Sequence, residues 1–235
     1  MNMKSSGSSL SELNNQSDQL RVLVCDDHPI IREAIAGVLE SSDYMQVVGA
    51  ISSYDEGEQF AQEFDFDVAV LDAHLKGRSG LELAEHLRIT RPEVKIVILT
   101  AFVSDELIFE TKKIGVGTII DKNLDTERIA DRVLAASIGK HSSDDVVLPD
   151  VVSRLKEDGV MSLLNLSKVD RQIVALVAEG HSDKEIGALV YLSSQTVRNR
   201  ISRILTLLGK SNRTQIALLL SNLDHVVQQR FLNQV

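Results

Sequence analysis

The chain has 235 residues, 43% of them hydrophobic and 25% charged, with a formal net charge of −9. That size suits two modest domains, and the composition is ordinary for a soluble globular protein. No apolar run approaches the roughly 18 residues of a membrane span. Residues 1–19, rich in Ser, Asn and Gln, lack the apolar stretch of a secretory signal and are expected to form a disordered tail. The single cysteine, Cys25, excludes an internal disulfide framework and metal sites built on cysteine pairs, so a reducing cytoplasm is the expected setting. The charge is uneven. Residues 1–159 carry 16 Lys/Arg against 29 Asp/Glu, whereas residues 160–235 carry 9 against 5. An acidic half joined to a basic half points to a nucleic-acid module carried by something else.

In chain order, short apolar segments Val22–Cys25, Val47–Ile51, Val68–Leu71, Ile96–Leu99 and Thr118–Ile120 alternate with helical patterns. The helical stretches are Pro29–Leu39, Tyr54–Phe64, Gly80–Ile89, Asp105–Ile114 and Thr126–Ser137. Strands alternating with helices of this length predict βαβ units and a doubly wound parallel sheet. The run Val68–Leu71 is apolar without alternation and stops at Asp72, as a strand buried on both faces does. Cys25 falls inside a predicted strand and reads as core.

Ligand chemistry in such sheets gathers at the carboxyl ends of the strands. Those ends bring Asp26 and Asp27, Asp72, Thr100 with Ala101, and Asp121 with Lys122. Clustered carboxylates repel unless a cation is bound, and hard oxygen donors favour Mg²⁺. An ammonium and a hydroxyl beside them suit phosphoryl oxygens. The set reads as phosphoryl chemistry on an aspartate nucleophile.

Asp26-Asp27, Asp72, Thr100 in Leu-Thr-Ala, and Lys122 stand 45, 28 and 22 residues apart from Asp27 onward. The set resembles a receiver domain of two-component signalling over about residues 20–138. The resemblance implies a flavodoxin-like (βα)5 fold, Asp72 as phosphoacceptor, and Mg²⁺ held by Asp26, Asp27, Asp72 and the backbone carbonyl of His74. It also implies Lys122 and Thr100, with Ala101, as the phosphoryl-binding and switch residues. The chain departs from the receiver pattern at three positions. Lys76 and Asn123 stand where receivers often carry Pro, and Ile119 where many place an inward-packing Tyr or Phe. His74 and Phe102 flank the expected path of a hydrolytic water, and Phe102 has no polar group to orient one, which implies slow autodephosphorylation; the alternative is that Phe102 simply packs against the next helix. His28, His86, His141, His181 and His225 are too scattered in sequence to define a metal site.

Residues 139–163 read as a linker, with a short helix over Val151–Leu155, and residues 225–235 as a C-terminal tail. Between them, residues 164–224 show helix-opening patterns at Ser167, Ser182-Asp-Lys-Glu185, Ser193 or Ser194, and Asn212. A short helix, a tight turn at Tyr191-Leu192-Ser193 and a longer helix make a helix-turn-helix plan. On the longer helix Val197, Ile201, Ile204, Leu205 and Leu208 share one face. Gln195, Asn199, Ser202 and Arg203 lie opposite, with Arg198 and Arg200 at the flanks. No acid occurs from Ser193 to Leu223, the bias that a helix entering a major groove needs.

Ser-Asp-Lys-Glu-Ile-Gly (182–187), residues 192–205 and Leu-Gly-Lys-Ser-Asn-Arg-Thr-Gln (208–215) resemble the all-α, four-helix LuxR-type DNA-binding domain. By position, Arg198, Asn199 and Ser202 would read bases, and Lys184, Thr196 and Arg203 would contact phosphates. Arg200, often His in relatives, would lie among these DNA contacts. Ile216, Leu219 and Leu220 would form a dimer surface. Receiver followed by LuxR-type domain is the layout of NarL/FixJ-type response regulators. It implies a sensor histidine kinase, double-stranded DNA and a homodimer as partners, no membrane, and no enzyme activity beyond slow loss of the phosphoryl group. Two other readings stand beside it. One is a phosphohydrolase with an aspartate nucleophile, against which His74 occupies the position of the usual second Asp. The other is a receiver-containing transcription regulator that works without phosphorylation.

Overall fold

The computed structural model describes residues 19–139 and 148–233; the expected N-terminal tail lies almost wholly outside them. The chain divides into two compact units. One runs to Ala101 and resumes at Val116; the other takes in Phe102–Gly115 and the C-terminal part from Ser143.

The first unit is built on β1 (Leu20–Cys25), α1 (Pro29–Glu40), β2 (Met45–Ile51), α2 (Tyr54–Glu63), β3 (Val68–Asp72), α3 (Gly80–Thr90) and β4 (Lys95–Thr100). After a segment that belongs to the other unit, β5 (Thr118–Asp121) and α5 (Thr126–Ser137) complete it. All pairings are parallel and the strand order is β2-β1-β3-β4-β5, a doubly wound sheet with β3 at its centre. Side chains alternate across a strand. Val22, Val24, Val68, Val70, Val97, Leu99 and Ile120 therefore share one face, where they form a buried cluster with Ile35 and Leu39 of α1 and Ile129 and Val133 of α5. Leu23, Ala69, Leu71 and Ile98 alternate with them and are equally buried, so the central strands are covered on both faces. This is why β3 reads as an unbroken apolar run. Cys25 is buried with them, and burial pushes its thiol well above the usual range.

Local chemistry sets the helix starts. Ser53 and Ser79 cap α2 and α3, and Ser79 with Glu82 forms a reciprocal capping box. Gly80 opens α3 against the end of β3. A Cβ there would lie 1.8 Å from the Asp72 carbonyl oxygen, so only glycine lets this helix start so close to the site-bearing strand.

The second unit is helical. It comprises α4 (Asp105–Lys113), α6 (Leu148–Glu157), α7 (Val160–Leu164), α8 (Lys168–Ala178), α9 (Asp183–Leu189), α10 (Ser194–Leu208), α11 (Arg213–Ser221) and α12 (His225–Asn233). The described part of the expected linker is thus mostly packed helix: Val151, Leu155, Val160 and Leu163 are buried. Residues 225–233 are a helix rather than a tail. Val226, Val227, Arg230 and Phe231 recur at helical spacing and are buried, a pattern too short to stand out between polar neighbours.

Helix α4 packs against α6 and α12. Leu107 and Ile108 are buried, Arg154 of α6 forks onto Asp105 with a second bond of 2.7 Å, and Ser104 donates to Asp224 at 3.2 Å. Between α4 and α12, Arg230 Nε lies 3.2 Å from Glu110 Oε2, with both side chains at most 7% exposed. Glu110 also meets Lys113 Nζ at 3.3 Å. Removing Arg230 therefore strands the Glu110 charge only in part, at a cost below the about 3–5 kcal/mol of a fully unpaired buried ion, whereas replacing both Arg230 and Glu110 with apolar groups is often neutral. Arg230→Ala should therefore lower the urea midpoint of the second unit markedly, and the double change Arg230→Met, Glu110→Leu should restore most of the loss. A double variant no more stable than the single one would exclude this account.

Candidate functional site

The parallel register aligns the strand ends. Cys25 pairs with Leu71, Asp72 with Leu99, and Thr100 with Asp121, so Asp26, Asp72, Thr100 and Lys122 emerge along one edge. Asp26, Asp72 and Thr100 are 1% exposed or less. Lys122 Nζ bridges Asp26 Oδ2 at 2.7 Å and Asp72 Oδ2 at 2.8 Å. The backbone positions the rest: His74 N donates to Asp72 Oδ1 at 3.1 Å and Lys122 N to Thr100 O at 2.7 Å. Arg32 donates to the Asp26 carbonyl at 2.6 Å. Burial pushes the Asp72 carboxyl up, the neighbouring Asp26 adds to the rise, and the Lys122 bond opposes it without cancelling it.

The residues fit a divalent cation. Asp26, Asp27, His28 and Asp72 each offer a ligand atom, and these atoms lie within 4.8 Å of one another. The Asp27 side chain is only 7% exposed, and its Oδ1 makes no well-aligned hydrogen bond among the described residues. His28 Nδ1 lies 2.7 Å from it. Three buried or nearly buried carboxylates against the ammonium of Lys122 leave excess negative charge that a hard dication would neutralise.

Each residue expected at this edge is brought to it. His28 also stands at this edge, and its adjacency in sequence to Asp26-Asp27 is the signal for it. The departures also have structural consequences. Asn123 donates to the Ala101 carbonyl at 3.0 Å and to Asp121 Oδ1 at 2.8 Å, and no peptide bond among the described residues is cis. Ile119 is half-buried, and Phe102 is 69% exposed rather than packed away.

In the second unit, α9 and α10 form the helix-turn-helix. Ser182 and Glu185 make a reciprocal capping box, and Ser193 caps α10 by accepting from Thr196 N. In the turn Tyr191 is left-handed, at φ 58°, and Leu192 N donates to Gly187 O at 2.9 Å. A Cβ on Gly187 would lie 2.5 Å from the Leu192 carbonyl oxygen, so glycine permits the tight approach. Val197, Ile201, Ile204 and Leu208 are buried, whereas Lys184, Arg198, Asn199, Ser202 and Arg203 are exposed, and Thr196 and Arg200 are half-buried. The arginines are not loose. Arg200 and Arg203 each reach Asp170 at 2.7 Å, and Asp183 meets Arg198 at 3.3 Å and Arg213 at 3.5 Å. No local spacing announces these pairs, since Asp170 is 30 and 33 residues from its arginines. On α11, Ile216 and Leu220 are in the core, Leu219 is half-buried and Leu218 is 57% exposed.

A family model described as the response regulator receiver domain matches residues 22–134, and one described as bacterial regulatory proteins of the luxR family matches residues 164–220. The transcriptional regulatory protein LiaR of Bacillus subtilis is 34% identical over 200 residues, which cover 84% of this chain and 95% of that protein. The response regulator protein VraR of Staphylococcus aureus is 29% identical over 83% of this chain and 93% of its own length. A structure of RcsB from Salmonella enterica serovar Typhimurium, bound to promoter P1flhDC in the presence of phosphomimetic BeF₃⁻, shares the fold at 23% identity with a TM-score of 0.59. It covers 86% of this chain and 98% of that one.

Burial pushes the Asp170 carboxyl up, but bonds from Ser167 and Arg200 and the charges of Arg203 and Arg200 outweigh it, and the net shift is downward. A lowered folded value gives stability that is complete above the unfolded value of about 3.9 and is lost as pH falls through the folded one. Asp170→Asn should lower the urea midpoint at pH 7, and the gap to the unaltered protein should close below about pH 4. A gap that stays constant down to acid pH would rule out the ion-pair origin.

Proposed function

Because the chain belongs to the NarL/FixJ-type response regulators, with a receiver domain and a LuxR-type DNA-binding domain, we propose that Asp72 is its phosphoacceptor and that the acyl phosphate controls DNA binding. The observation that carries this reading is the buried Asp72 carboxylate at the end of β3, held by Lys122, which also bridges it to Asp26. The phosphodonor is a phosphohistidine on a sensor kinase. An Asp72 carboxylate oxygen attacks phosphorus, the P–N bond breaks, and its electron pair returns to the imidazole nitrogen. Lys122 meets the phosphoryl oxygens, and the Thr100 hydroxyl turns to hydrogen-bond one of them. Asp26, Asp27, Asp72 and the His74 carbonyl would hold Mg²⁺, which supplies charge neutralisation when bound.

The product adds about −1.5 to −2 charge at the edge. Thr100 ends β4, and the chain leaving it enters the second unit within two residues, as Phe102–Gly115. A change at Thr100 is therefore covalently joined to α4. Phe102 is apolar and exposed and supplies no group to orient water, which supports slow loss of the phosphoryl group.

DNA recognition falls to α10. Arg198, Asn199 and Ser202 face the base edges, and Lys184, Thr196, Arg200 and Arg203 provide contacts to phosphates or the flanks of the groove. The active species is a homodimer. Because Ile216 and Leu220 are used in the module's own core, the part of α11 left for a partner copy is Leu218 with the edge of Leu219.

Incubation of the full chain with Mg²⁺ and acetyl phosphate should give one phosphate adduct by intact mass. The adduct should be absent in Asp72→Ala and shorter-lived in Phe102→Asn; no adduct would favour a regulator that works without phosphorylation. On a duplex selected from a random library, Arg198→Ala should cost about 1–3 kcal/mol of specific affinity, and Lys184→Ala should reduce the salt slope by about 1 without changing sequence preference. The reverse pattern would exchange the two roles.

A further inference from the structure

We propose that Asp183 sets base preference through Arg198. It holds the guanidinium by Nε, so that the two terminal nitrogens form a fixed fork for the O6 and N7 acceptors of a guanine in the major groove. This rests on the reading that Arg198 faces base edges, and it adds which base Arg198 takes and what positions it.

The three arginines of α10 are held differently. Arg200 and Arg203 meet Asp170 through terminal atoms, Nη1 and Nη2 respectively, each at 2.7 Å. Arg198 instead donates from Nε to Asp183 Oδ2 at 3.3 Å, on a side chain that is 66% exposed. Arg198 is thus the one α10 arginine whose two terminal nitrogens both lie outside the hydrogen bond that holds it.

Asp183 is itself held. It opens α9 directly after the N-cap Ser182, whose capping box with Glu185 fixes the start of that helix, and its side chain is only 22% exposed. Asp183 Oδ1 lies 3.5 Å from Arg213 Nη1, and Arg213 Nη2 donates to the His181 carbonyl at 3.1 Å. One carboxylate therefore gives one oxygen to α11 and the other to α10. Three elements fix the direction from which Arg198 is gripped.

The chemistry then decides the base. A loose arginine on the flank of a groove-reading helix has phosphates within its sweep, and those carry no sequence information. A guanidinium tethered at Nε has lost most of that choice, and its planar fork matches two parallel acceptors. Guanine presents O6 and N7 together on its major-groove edge, whereas adenine places an N6 donor beside N7 and so repels one arm of the fork. The Asp183 carboxylate also subtracts positive charge next to the DNA. Its effects on total affinity and on base preference therefore have opposite signs, which separates positioning from simple attraction.

The test uses the full chain and a duplex selected from a random library, with each base pair then replaced in turn and an unrelated duplex as control. Arg198→Ala should identify one position per half-site, a G·C pair, at which preference falls by about 5- to 150-fold. Asp183→Asn should lose at least about fivefold of the preference at that same position and keep the others within about twofold. It should bind the unrelated duplex as tightly as the unaltered protein or more tightly. Arg198→Lys leaves Asp183 in place and should lose the same preference, because one ammonium cannot both meet Asp183 and fork onto guanine. In the Arg198→Ala background, Asp183→Asn should cost no further preference. Three outcomes would overturn the assignment of Asp183: an equal loss at every position, an unchanged guanine preference with tighter specific binding, or a pair other than G·C at the Arg198 position. No base preference lost in Arg198→Ala would instead overturn the base-reading role of Arg198 on which the assignment rests.

Discussion

The first unit is constrained by the crowding of Asp26, Asp27 and Asp72 around one ammonium at the end of a buried sheet. Lys122 neutralises part of that charge through bonds of 2.7 and 2.8 Å to Asp26 and Asp72. The ammonium can reach both only if β5 lies beside β4 in the observed register. A one-residue slip in a strand turns its side chains to the opposite face. The register itself rests on the apolar faces of β1, β3 and β4, which no other pairing would bury as fully. Gly80 belongs to the same constraint, because α3 can begin beside Asp72 only where there is no side chain.

The same logic of held charge recurs in the second unit with the opposite sign. The arginines of α10 are fixed by Asp170 and Asp183 rather than left to wave in solvent. A guanidinium already oriented has less freedom left to lose on meeting an anionic partner. An acid that holds such an arginine also lowers the local positive potential, so these aspartates trade some attraction for direction.

Helix α4 shows how chain order and packing can part company. It lies between β4 and β5 in sequence and packs with α6 and α12, through Leu107, Ile108 and the buried Glu110–Arg230 pair. The segment that follows Thr100 is therefore part of the helical unit. Its stability depends on a C-terminal helix that lies beyond the residues matched by the luxR family description.

The strand and helix order of the first unit, the strand-end carboxylates with Thr100 and Lys122, and the cap at Ser182 were legible in the sequence, which left the next cap open between Ser193 and Ser194. Each is a local pattern of period, spacing or turn chemistry. The matching of the five strand segments shows how far that reaches: every one reappears within two residues at either end. The sequence could not disclose what depends on distant segments meeting. Asp170 finds arginines 30 and 33 residues away, Glu110 finds Arg230, and Asp72 arrives beside Asp26 and Asp27. The LuxR-type resemblance implies a dimer face at Ile216, Leu219 and Leu220, but Ile216 and Leu220 are buried in the module's own core, which helical period cannot distinguish from a partner's surface. The sequence by itself determined which groups the protein carries and on which kind of element. The tertiary structure decided which charges share a low-dielectric space, since that depends on distances between elements that local pattern does not encode.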